Sequence, residues 1–199
     1  MVRCEFRSAT LGQVDDPAMP LVVRNVSLTR CAAKGRSSLW GVRVEDVVVD
    51  GLTTSPAAVL TACAFRHVTL RGRIGSLMFQ PPPFTMDEQP RAFIDTILRY
   101  YADVDWAVDI SEAEFTGDVN FFFVPGDLVR RDVETQFLLR RETLAGVDLT
   151  EFPVVARIEA SRFEVTPFDS IVAIASKRTK NFERYRDDLE QLRKAGLAE

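Results

Sequence analysis

The sequence predicts a parallel β-solenoid of about 21 residues per coil, with an inserted helix and a small C-terminal α/β cap. Three observations predict it: a recurring ten-residue pattern, the interval at which it recurs, and the point at which it stops. Five stretches line up: CEFRSATLGQ from Cys4, LVVRNVSLTR from Leu21, VRVEDVVVDG from Val42, CAFRHVTLRG from Cys63 and VDISEAEFTG from Val108. Their starts lie 17, 21, 21 and 45 residues apart, the last gap being close to two periods. A single amphipathic strand explains one such stretch but gives no reason for a fixed interval. Recurrence at this interval describes coils that must stack, because one coil cannot bury its own apolar face.

Each stretch divides into two five-residue units with a small or branched apolar residue first and a larger apolar residue third. The first positions are Cys4, Ala9, Leu21, Val26, Val42, Val47, Cys63, Val68, Val108 and Ala113. The third positions are Phe6, Leu11, Val23, Leu28, Val44, Val49, Phe65, Leu70, Ile110 and Phe115. These side chains are expected to form one continuous core, with fifth positions such as Ser8, Asn25, Asp46, His67 and Glu112 at exposed corners.

Between the fourth and fifth stretches, the prolines of PPPF force an extended exit. Phe93, Ile94, Ile97, Leu98 and Tyr101 then fall at helical spacing, with Asp87 and Glu88 near the N-terminus and Pro90 in the first turn. The spacing predicts a helix over 88–102, a lid packed on the side of the coils within an insertion at about 81–106. After Phe123 the period stops. Gln136–Arg140 reads as a strand, Pro153–Phe163 as a helix, Ile171–Ala175 as a buried strand, and Asn181–Lys194 as a helix ended by Gly196. The chain thus divides into residues 1–125, the coils, and 126–199, a cap over their last apolar surface and unpaired edges.

The units CEFRS, CAFRH and AEFTG resemble the pentapeptide-repeat family, in which a small residue is followed two places later by Leu or Phe, every five residues. The resemblance implies a right-handed parallel β-helix, and, since some members of that family mimic nucleic acid, it also raises mimicry as a role. The later stretch PGDLVRRDVETQFLLRR is similar to a segment of bacterial proteins without an assigned activity.

The chain has 25 Lys plus Arg against 29 Asp plus Glu, with 46% hydrophobic residues, proportions ordinary for a globular domain. The longest apolar runs are about five residues, where a membrane span needs about 20, so no membrane partner is expected. The opening residues MVRCEFRSAT lack an apolar h-region, and the expectation is a cytoplasmic chain. Cys4, Cys31 and Cys63 fit neither a disulfide framework nor a CxxC knuckle and read as reduced. Residues 1–80 carry 10 basic and 6 acidic side chains, against 15 and 23 in residues 81–199. A nucleic-acid mimic needs strongly negative coils, so mimicry ranks last, and no clustered basic stripe favours binding of nucleic acid itself.

His67, the only histidine, sits at a predicted corner with no nucleophile motif around it and is read as non-catalytic. Asp105, Asp109 and Glu112 are the acids to consider for a hard cation. Their spacing spreads them over different faces, and neither metal nor cofactor is expected. Asp127, Arg130, Arg131 and Asp132 form the densest polar cluster outside the repeat, on the turn made by Pro125 and Gly126, and are the candidate binding residues. The reading is a non-catalytic interaction module, a regulator or antagonist of another protein, monomeric or homodimeric. The alternative is a β-helix enzyme with an acidic site for a carbohydrate-like substrate. Burying an unpaired charge costs several kcal/mol, a large part of a net stability of about 5–15 kcal/mol. Thermal unfolding is therefore expected to show no cooperative transition for Leu70→Asp and a near-native one for Arg71→Asp. A native melting temperature for Leu70→Asp would refute the inward register.

Overall fold

The computed structural model describes residues 1–83 and 89–199, and Gln89 only in its backbone. The expected helix-start acids Asp87 and Glu88 lie outside the described residues. Strands β1 (Glu5–Arg7), β2 (Thr10–Gly12), β3 (Val22–Lys34), β4 (Ser38–Trp40), β5 (Arg43–Ser55), β6 (Ala58–Thr61), β7 (Ala64–Ile74) and β8 (Leu77–Gln80) precede helix α1 (Gln89–Tyr101). They are followed by β9 (Val108–Asp109), β10 (Ala113–Phe115), β11 (Val119–Asn120) and β12 (Val129–Arg130). One parallel sheet has seven strands in the order β1-β3-β5-β7-β9-β12, with β10 also on β7, and a second runs β11-β8-β6-β4-β2.

The 21-residue interval appears directly as strand register. Val23 lies beside Val44 and Val44 beside Phe65, and Leu28 beside Val49 and Val49 beside Leu70. Because β-strand side chains alternate between faces, this register stacks the inward positions in columns between the sheets. Phe65, Leu70, Ile110 and Phe115 share one buried cluster with Val44, Val47, Leu77, Phe79 and Phe121. Phe6 is only half-buried and lies outside that cluster. The corners have a conformational cause. Asn25, Asp46 and His67, one register apart, have φ of 56°, 53° and 54°. This left-handed region costs L-residues strain, and short polar or imidazole side chains are enriched there.

Polar ladders and α1 fasten the outside of the larger sheet. Arg24 faces Glu45, and Glu45 faces Arg66. Glu45, buried, accepts from Arg24 Nε at 2.8 Å and from the Tyr100 hydroxyl at 3.1 Å. The adjacent Tyr101 hydroxyl accepts from the Phe65 amide at 3.1 Å. Phe93, Ile97 and Tyr101, spaced four apart, are buried against the strands, with Phe93 edge-on to Trp40 at 5.0 Å.

The C-terminal part contains β13 (Gln136–Arg140), α2 (Arg141–Leu144), α3 (Val154–Ser161), β14 (Ser170–Ile174) and α4 (Phe182–Lys194). β13 and β14 pair antiparallel, and their alternation divides their side chains between two cores. Leu138 and Val172 join the cluster between the parallel sheets. Phe137, Leu139, Ile171 and Ala173 face α3 and α4 in a second cluster with Val155, Ala156, Leu189 and Leu192.

The expected fold class is thereby corrected. The described residues do not form a β-solenoid with one inserted helix and a small cap. Two parallel sheets with helices between strands, together with a separate antiparallel pair, make the fold α/β-like. The reason is that the repeat specifies which side chains point inward and how far apart paired strands lie in sequence. It does not specify how the segments from 81 onward are joined, where short strands alternate with helices.

Helix α4 covers the second cluster through Leu189 and Leu192, both fully buried. Removal of residues 179–199 is expected to leave an aggregating protein in light scattering, since Phe137, Leu139 and Ile171 lose their cover. A soluble truncation with an unchanged thermal transition would show that α4 is not part of the core.

Candidate functional site

The polar cluster anticipated after the repeat is present as four residues, each with its own partners. Pro125 leads into a 3-10 turn over Gly126–Leu128. There is no room for a side chain at Gly126, because a Cβ would meet Leu138 Cδ1 at 2.6 Å and the Ile171 amide nitrogen at 2.8 Å. Asp127 accepts from Ser170 Oγ at 2.7 Å and from Arg140 Nη1 at 3.0 Å. Arg140 in turn donates from Nε to Glu199 at 2.8 Å, and Arg131 approaches the other Glu199 oxygen at 3.8 Å. Asp132 accepts from Thr135 Oγ1 at 2.8 Å and Lys177 Nζ at 2.9 Å. Burial acts to raise both carboxyls, but the Ser170 and Arg140 donors hold Asp127 below the usual range, and Lys177, the Glu134 amide and Thr135 do the same for Asp132. These groups spend their hydrogen bonds tying the turn to β13, β14 and the chain beyond them.

Arg130 points elsewhere. Its guanidinium lies 4.2 Å from the Trp106 ring centroid, while the His67 imidazole lies 4.8 Å from the same ring. His67 contacts Asp105 through Nε2 at 2.7 Å and Asp46 through Nδ1 at 3.2 Å. The hydrogen bond from His67 holds the exposed Asp105 carboxyl below its ordinary range. Asp109 instead accepts from the Ser111 amide and hydroxyl at 3.0 and 2.6 Å. Glu112 is exposed, and its main-chain oxygen serves Gly72. Asp105, Asp109 and Glu112 are thus not gathered, and among the described residues no group of three His, Cys, Asp or Glu side chains is placed to hold a metal ion.

Two features escaped the sequence. The first is a cavity of about 380 Å³ between the two parallel sheets at the end formed by β1 and β2. Burial of the third positions falls toward this end: Phe65 and Leu70 are buried, Val23, Leu28 and Phe6 half-buried, and Leu11 is 41% exposed. Its wall is aliphatic and aromatic, apart from the hydroxyls of Thr10, Ser37 and Ser38. Thr10 Oγ1 and Ser38 Oγ hydrogen-bond to each other at 3.2 Å. At the same end the outer edges of both sheets are open. Among the described residues, Val22–Val26 of β3 have a strand only on the β5 side and β2 has one only on the β4 side. The flanks are basic, with six Lys or Arg against three Asp or Glu over residues 1–36. Arg3, Arg30 and Arg36 have no acidic partner among the described residues.

The second feature is a buried carboxylate. Glu159 is completely buried on α3 and accepts from the Tyr185 hydroxyl at 2.6 Å, with Arg162 Nη1 3.2 Å from its other oxygen. Arg162 and Tyr185 also line a more polar cleft with Asp118, Asn120 and Asn181. A signal for this contact was available: Val155, Ala156, Glu159 and Phe163 share one helical face, so an acid occupies a core position, opposite the α4 stripe that carries Tyr185.

Comparison with known families, curated proteins and solved structures finds no match for this chain. No helix among the described residues is long and apolar enough to cross a membrane.

Desolvation raises the Glu159 carboxyl above its ordinary value, outweighing the Arg162 charge and the Tyr185 hydrogen bond. The folded protein therefore holds this proton more tightly than the unfolded chain, whose glutamate titrates near about 4.3. That contribution to stability is fully present below the unfolded value and is lost as pH rises through the folded one. Glu159→Gln, which keeps an acceptor for Tyr185, is expected to gain in melting temperature relative to the native chain as pH is raised from 4 to 7. A difference independent of pH would refute the raised value.

Proposed function

We propose that the chain is a non-catalytic protein-interaction module, a regulator or antagonist of another protein, and that its docking surface is the open end of the parallel sheets. The observation that carries this reading is the juxtaposition of two unpaired sheet edges with an apolar mouth between them. Open strand edges present rows of backbone donors and acceptors that water satisfies in isolation and a partner strand satisfies on docking. Exposed apolar surface rimmed by charge is a second mark of a contact region. The basic flanks favour an acidic partner and give the association a salt dependence. Of the acids that an enzymatic reading would recruit, Asp105 is engaged with His67 and Asp109 with Ser111.

Leu11 and Arg3 are exposed at this end, whereas Arg184 is exposed on α4. In affinity capture from the native host, quantified by mass spectrometry, a partner is expected on the wild-type chain and on Arg184→Glu. The same protein should be lost from the double variant Leu11→Asp, Arg3→Glu and should elute from the wild type with salt. A partner retained equally by all three chains would remove the open end as the docking surface.

A further inference from the structure

We propose that the cavity between the sheets binds one hydrocarbon chain with an anionic head, of the class of a medium-length fatty acid. The inference rests on reading the open end as a binding surface, but it uses the interior and not the strand edges, and requires no polypeptide partner. The cavity has a cause in the sequence. In the column Val23, Val44, Phe65 the first two members are valines, and Val49 lies between Leu28 and Leu70 in the next column. A valine in a position that takes phenylalanine one register later leaves room between the sheets, and that room narrows inward from Phe6 and Leu11 past Val44 and Val49 to Phe65, which is 2% exposed. From β1 through β3 to β5 is two strand steps, a depth of about 10 Å at roughly 4.8 Å per step.

Size and wall chemistry select the occupant. About 380 Å³ is within the range of ligand sites and well above the roughly 150 Å³ apolar cavity that accepts benzene. No charged side chain lines it, and the Thr10 and Ser38 hydroxyls share one hydrogen bond. A peptide backbone inserted here would leave its amides and carbonyls without partners, whereas an alkyl chain has none to satisfy. The polar end of such a ligand must therefore remain at the mouth. The segment that bounds this end, residues 1–36, carries six Lys or Arg against Glu5, Asp15 and Asp16, and within it Lys34 and Arg7 share the one carboxylate of Glu5. An anionic head fits this rim and a cationic one does not.

The test is calorimetric titration of the full chain with laurate below its micellar concentration, with dodecyltrimethylammonium as the opposite-charge probe. Laurate is expected to bind with one-to-one stoichiometry and at least tenfold more tightly than the cationic probe. Val44→Phe fills the cavity from its wall and is expected to weaken laurate at least tenfold. Val49→Leu, a smaller change, serves if Val44→Phe does not fold, with circular dichroism and melting as the check. Capture of the protein partner by a folded Val44→Phe chain that no longer binds laurate would separate this site from the docking edges. The proposal is overturned by three results: no saturable laurate binding, equal affinity for both probes, or undiminished binding in the folded filling variants. Sedimentation showing a dimer that dissociates with Leu11→Asp would assign the open end to a second copy and would also overturn it.

Discussion

The parallel pairing of β3, β5 and β7 is the constraint on which the remaining structure depends. Once Val23, Val44 and Phe65 are neighbours, every inward position in these strands is fixed, because a slip of one residue would turn Val44 and Val49 outward and bring Glu45 into the core. The same register stacks Arg24, Glu45 and Arg66 on the outer face, where Glu45 receives Arg24 and Tyr100. Helix α1 is therefore held by a ladder that exists only because the inner columns are aligned. The left-handed corners at Asn25, Asp46 and His67 follow from it too, since each turns the chain at the same point of successive strands.

The C-terminal part depends on the same body through a different device. β13 and β14 use opposite faces for two purposes: Leu138 and Val172 extend the core between the parallel sheets, and Phe137, Leu139 and Ile171 found the core under α3 and α4. The turn at Gly126 brings the last strand of the large sheet against this pair at backbone contact. Asp127, Arg140, Glu199 and Arg131 then join the three segments by ion pairs on the outside.

What could be read from residues was what periodicity carries. The interval between Leu21, Val42 and Cys63 is the strand register. The four-residue spacing of Phe93, Ile97 and Tyr101 is the buried face of α1, and the short apolar run in Gln136–Arg140 is β13. The fold class was misread because a repeat in one part of a chain does not determine how later, shorter strands are joined or that a separate antiparallel pair forms. The cavity was invisible for a related reason. Valine and phenylalanine count alike as apolar third positions, and only volume, which a hydrophobic pattern does not record, distinguishes Val44 from Phe65. Glu159 was hidden by the habit of assigning charge to solvent, although its place on the Val155 face marked it as buried. Asp105 found His67, and Arg130 found Trp106, across distances in sequence that no local motif spans.

The decline of burial toward β1 and β2 bears on where the folded chain opens most easily. The strands at this end have the least apolar surface to share: Leu11 is 41% exposed, while Phe115, more than a hundred residues later, is 2% exposed. Pairing declines in the same direction, with eleven paired positions between β3 and β5 and three between β1 and β3. Low burial and few backbone partners are the conditions for local fraying, so this end is where the fold has least to lose by opening.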